Sequence, residues 1–144
     1  MNAYAIQPSF GGFLADIIRG AIASLAAVFT DVGEAKVADL WDGTASAPAN
    51  WYIAWGTGST TAAKGQTTLV SASAEARVAG TESQPTADSN RLVGTITSAG
   101  SQTIAEVGVF DASTVGNMVM RADFTGIALA ASDSIQFTID LTWA

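Results

Sequence analysis

The sequence predicts a mainly β protein: an antiparallel β-sandwich of jelly-roll type, preceded by an N-terminal arm and two helices. Three observations carry this. The C-terminal stretch alternates strictly, Ile135, Phe137, Ile139, Leu141 and Trp143 being separated by Gln136, Thr138, Asp140 and Thr142. That is the period of a strand with one buried and one polar face. Upstream, short apolar runs recur at near-regular spacing between glycine-rich turns, the pattern of a sandwich. Nearer the start, apolar residues fall instead at three- and four-residue steps, a helical period. At 144 residues the chain is about one domain long and able to bury a core.

Taken in order, residues 1–12 form the arm. Tyr4, Ile6 and Phe10 are spread among small residues, with Pro8 and then Gly11-Gly12, a combination that favours extended chain with a hinge. A frayed terminus is the alternative. Residues 13–43 are helical. Leu14, Ile18, Ala21, Ile22, Leu25, Val28 and Phe29 mark one apolar face. Asp31 and Glu34 have capping-box spacing for a second, short helix. Ala35, Val37, Ala38, Leu40 and Trp41 supply its apolar side, and Gly43 ends it. Both helices cover one end of the core, or the first packs on a neighbouring subunit.

Residues 50–144 form the sandwich. Strands are expected at 51–55, 91–97, 103–110, 117–124 and 135–143, with a weaker candidate at 75–81. Turns fall at Ala99-Gly100-Ser101 and Thr114-Val115-Gly116. Residues 56–76, rich in Gly, Ser, Thr and Ala, are expected to include a long loop, and 82–90, with Pro85, a second one. In the 51–55 strand, Trp51, Ile53 and Trp55 point one way and Tyr52 and Ala54 the other. Both faces are apolar, so this strand is central in the core or forms a subunit interface. A Trp platform for sugars is the functional alternative to burial.

Composition excludes several classes. Thirteen acidic residues against six basic ones give a net charge of −7. Arg19, Lys36, Lys64, Arg77, Arg91 and Arg121 are scattered, so no cationic stripe exists to follow phosphates or an anionic membrane. Neither nucleic acid nor membrane is an expected partner. Asp16 and Arg19 interrupt the apolar stretch 13–29, and residues 1–12 lack a basic start, which argues against a span or a secretory signal. With no cysteine there are no disulfides or thiolate sites.

The absence of histidine removes the commonest general base and metal ligand. The familiar triads therefore cannot form around the many Ser and Thr residues. Lys36 and Lys64 lie in segments better read as helix surface and exposed loop. Gly56-Thr57-Gly58 is not followed by the Gly-Lys-Ser/Thr of a phosphate loop. Asp111, Asp123, Asp133 and Asp140 read as turn or edge residues, and Asp88-Ser89-Asn90 supplies too few oxygens for a hard cation. The expectation is no enzyme, no catalytic residue, no metal and no cofactor.

Glu106 stands out. It lies between Ala105 and Val107 in an otherwise apolar strand, where alternation puts it on the same face as Ile104 and Phe110, and a carboxylate buried there requires a partner. Arg121 and Arg77 are the candidates for a structural ion pair that pins strand register or a subunit contact. An exposed Glu106 on a sheet edge is the alternative.

Several segments in order resemble a family of small tailed-bacteriophage virion structural proteins. They are Phe29-Thr-Asp-Val-Gly-Glu-Ala-Lys-Val-Ala-Asp-Leu, Trp51-Tyr-Ile-Ala-Trp-Gly-Thr-Gly, Glu75-Ala-Arg77, Thr103-Ile-Ala-Glu-Val-Gly-Val-Phe-Asp-Ala, Met120-Arg-Ala-Asp-Phe and Ser132-Asp-Ser-Ile-Gln-Phe-Thr-Ile. Members of such families are head decoration (cement) proteins or tail and fibre components. The resemblance implies a virion protein assembled in the host cytoplasm. The preferred reading is a homotrimeric cement protein on the outer capsid surface, with the major capsid protein and its own copies as partners. Tyr4, Ile6, Phe10, Phe13 and Ile17 would then contact the shell or a neighbour. The other reading is a tail or tail-fibre recognition module, which predicts exposed aromatics on the domain.

Overall fold

The computed structural model describes residues 26–143. Among these residues the strands are β1 (Ala26–Phe29), β2 (Tyr52–Gly56), β3 (Val78–Ala79), β4 (Thr81–Thr86), β5 (Ser89–Thr97), β6 (Gln102–Phe110), β7 (Met118–Leu129) and β8 (Ser134–Thr142), with one helix, α1 (Asp31–Asp42). They build two antiparallel sheets, ordered β1-β7-β6-β2-β3 and β4-β5-β8. The fold is therefore mainly β, as expected. One core joins the sheets: Ile53 and Trp55 from β2, Val107 and Val109 from β6, and Leu92, Ile96, Ile135, Phe137 and Ile139 from β5 and β8. Trp55 meets Phe137 edge-on, ring centroids 6.4 Å apart, a geometry aromatic quadrupoles favour. In β8 the alternation holds for Ile135, Phe137 and Ile139, which are buried, but not to its end: Leu141 is half-buried and Trp143, read on the same buried face, is exposed.

Several elements differ from expectation, each for a physical reason. Val28 and Phe29, read as the end of a long helix, lie in β1, whose Phe29 pairs with Met120. An Ala-Ala-Val-Phe run fits either period, and pairing with β7 decides it. Residues 82–90 are no loop: β4 pairs with β5 across a turn at Ala87-Asp88. Its sequence Thr-Glu-Ser-Gln-Pro-Thr is exposed throughout, so no apolar face announces it. Pro85 falls where the register shifts between Ser83 and Thr86, on an edge strand where a missing N–H is tolerated.

Helix α1 starts one residue earlier than a cap at Asp31 implies. Thr30 is the N-cap; its hydroxyl accepts from the Gly33 N–H at 2.9 Å and donates to the Met118 carbonyl at 2.6 Å. One side chain thus both starts the helix and ties it to β7. Gly33 is buried there, and a Cβ at that position would overlap the Val119 backbone. Gly43 closes the helix at φ 79°, the left-handed conformation glycine adopts freely. The helix's apolar side is narrower than read. Val37 and Leu40 are half-buried, whereas Ala35, Ala38 and Trp41 are exposed.

Candidate functional site

Among the described residues the most elaborate polar arrangement lies between β6, β7 and the long loop 57–77 that follows β2. Glu106 and Arg121 are both fully buried, and Arg121 Nε donates to Glu106 Oε2 at 2.8 Å. Arg121 Nη2 lies 2.8 Å from the same oxygen. The two strands bring them together directly, because Gly108 pairs with Arg121 and Glu106 with Asp123. Glu106 does not share a face with Ile104. The ladder register breaks between Ile104 and Glu106, so Ile104 joins Val107 and Val109 in the main core while Glu106 faces the loop. A bulge reverses the phase that simple alternation assigns.

The loop then closes over the pair. Glu106 Oε1 accepts from the backbone N–H groups of Gly58 at 3.1 Å and Ser71 at 2.7 Å, and Oε2 from Val70 at 3.0 Å. Arg121 donates to the Thr60 carbonyl at 2.9 Å and to Gln66 Oε1 at 3.0 Å. Asp123 accepts from the Ala62 N–H at 2.6 Å. Among the described residues no buried side-chain nitrogen or oxygen is left without a partner. A buried ion pair persists only when its remaining valences are met in this way.

The same geometry accounts for Gly56-Thr57-Gly58. A Cβ on Gly56 would stand 2.6 Å from Glu106 Oε1, and one on Gly58 2.5 Å from it. Glycine is required because backbone and carboxylate approach so closely. The Gly58 amide does bind an anion, but that anion is the chain's own Glu106. Leu69, buried against Ala54, Phe110 and Met118, gives the loop an apolar anchor as well. This explains why both faces of β2 are apolar: Ile53 and Trp55 enter the main core, while the far face lies under the loop. Trp51 is half-buried against that core.

Arg77 does not join Glu106. It lies over the Phe110 ring, 3.5 Å from the centroid, and donates to the Ala112 and Val115 carbonyls at 2.9 and 2.6 Å. Burial lowers its pKa while nearby Asp111 works the other way. In the same hairpin, burial opposes the Asp111 charge, but donation from Asn117 and the proximity of Lys36 hold its carboxyl below the ordinary value. Glu75, which the sequence left without a role, fixes the loop's far end. It accepts from the Ala99 N–H at 2.9 Å, Gln102 Nε2 at 2.7 Å and the Trp55 indole at 3.1 Å. Chiefly the Ala99 N–H, with help from Trp55 and Gln102, lowers its pKa. The signal for this role was faint: one acid in a loop otherwise poor in charge.

Tyr4, Ile6, Phe10, Phe13 and Ile17 lie outside the described residues. Among the described residues no group of three or more acidic side chains is placed to hold a metal. Among the described residues the exposed large apolar side chains are Trp41, at 92% exposure, Val115, Val70 and Trp143. Beside Trp143 an apolar groove of about 320 Å³ opens between α1 and both sheets, lined by Phe29, Val37, Leu40, Trp51 and Leu141 among others.

Two antiparallel sheets, a loop pinned by buried charge and an aromatic-bearing end define a structural β module. Residues 28–141 match the family described as Podophage GP4 fiber I protein gp80, and the chain belongs to that family. It is a bacteriophage virion structural protein, in keeping with the resemblance read from its segments. No curated protein and no solved structure matches it.

Proposed function

We propose that this chain is a tail or fibre component of the virion, a self-associating structural module that binds rather than catalyses. The family match over residues 28–141 carries this reading, because the family's description names a fibre protein. It favours the fibre alternative over a cement protein bound to the major capsid protein on the outer head surface. The two sheets sharing one core act as a jelly-roll-like sandwich, stiffened by Glu106 and Arg121, and assemble as a homotrimer. The exposed Trp41 supplies an aromatic contact of the kind a recognition module needs. No cofactor is required, since the buried charges are consumed in holding the loop.

The test is a phage in which this chain is not made. Its particles should have stable, DNA-filled heads and fail to adsorb to the host. Heads that leak DNA while adsorption stays normal would overturn the fibre reading in favour of capsid decoration.

A further inference from the structure

We propose that the groove between α1 and the two sheets is a socket for the apolar segment 4–14 of a neighbouring copy of this chain. The groove is lined chiefly by apolar side chains, among them Phe29, Leu40, Trp51, Leu141 and Trp143. Such a concavity, on the order of the size that takes a few large side chains, is stable in water only at a cost unless something fills it. Its charged neighbours leave little for an ionic partner. Lys36 stands 3.6 Å from Asp111, and Arg91 is held doubly by Asp140 at 2.6 and 2.7 Å. Glu82 is exposed at the mouth and disfavours an anionic partner. The occupant that fits is therefore apolar and uncharged.

The chain itself contains such a segment. Residues 1–15 carry no charged side chain, yet include Tyr4, Ile6, Phe10, Phe13 and Leu14, with Gly11-Gly12 between the two phenylalanines. The family match begins at residue 28 and leaves this segment outside it. Polarity of the fold points to a neighbour rather than the same copy. Phe29 and its β7 partner Met120 line the groove, whereas Asp123, the β7 partner of Ala26, does not. The chain thus enters β1 roughly 10 Å from the groove and running toward it. β1 itself runs toward the groove, so to enter the socket of its own copy the preceding chain would have to double back past β1. Twenty-odd preceding residues span up to roughly 80 Å when extended, ample to reach an adjacent copy. A contact of tail into socket is heterologous, and repeated copies close into a ring or extend into a fibre.

The proposal deepens the self-associating fibre reading and rests on it for the meeting of copies. Its test uses the full-length chain with a photoreactive benzoyl-phenylalanine in place of Phe10, mixed with an isotopically heavy copy that lacks the probe. Illumination should join light probe peptides to heavy groove peptides from α1 or the end of β8. Leu40→Glu in the heavy copy should reduce that yield about tenfold or more, because an ionised carboxylate is costly in an apolar socket. Circular dichroism of this variant checks that α1 is intact, and Val37→Glu serves if it is not. Cross-links confined to one chain, to peptides away from the groove, or insensitive to both substitutions would overturn the proposal. None of these outcomes bears on head or tail location, so adsorption of phage lacking the chain still judges the fibre reading separately.

Discussion

Replacing Glu106 with Gln keeps the side-chain shape and removes the charge. In the native protein the two carboxylate oxygens accept from Gly58, Ser71, Val70 and Arg121. An amide offers one oxygen, enough for the Gly58 and Ser71 N–H groups, and turns its NH2 toward Val70 N–H and the Arg121 guanidinium. Two donors then face a donor, one of them a fully buried cation. Each stranded donor costs about 1–3 kcal/mol, more when charged, so a loss of about 3–5 kcal/mol is expected, as for other broken buried pairs. That is a large share of the 5–15 kcal/mol or so that holds a typical domain. Urea unfolding at neutral pH reads it as a lower midpoint with an unchanged slope. Arg121→Met should cost a similar amount, and the double variant about 2 kcal/mol or more less than the sum. A cost below about 1 kcal/mol for Glu106→Gln, or strict additivity, would refute the claim that this pair clamps the loop.

Further outcomes follow from the same geometry. Gly33→Ala should lower the melting temperature although alanine is the better helix former by about 1 kcal/mol, because the new methyl meets the Val119 backbone; a rise would show that α1 can move away from β7. Trp41→Ser should leave stability within about 0.5 kcal/mol in urea, given 92% exposure, and a larger loss would mean the ring packs on the domain. Glu75 has a folded pKa below its ordinary value of 4.5, so its contribution is present above that pH and lost as pH falls through the folded value. Glu75→Gln should therefore be less stable than the parent at pH 7 and lose less stability below about pH 4.5 in an acid titration; parallel acid profiles for the two would refute this.

What the sequence revealed follows from how each element is stabilised. β8 was legible because its alternating isoleucines and phenylalanine all enter one core. Gly43 was legible because a helix end often takes a left-handed residue. β4 was not, since its pairing rests on backbone bonds to β5 and none of its side chains is buried. Glu106 was recognisable as a carboxylate needing a partner, and Arg121 as one of two candidates. Its orientation was hidden by the register break beside Ile104. The loop's role was hidden too, because Gly58, Val70 and Ser71 contribute backbone N–H groups, which every residue but proline carries.

The most direct test of the central claim is gold labelling of intact virions with antibodies raised against residues 26–143. The fibre account predicts gold at the tail, with bare heads. Gold distributed over the head surface, with bare tails, would contradict it.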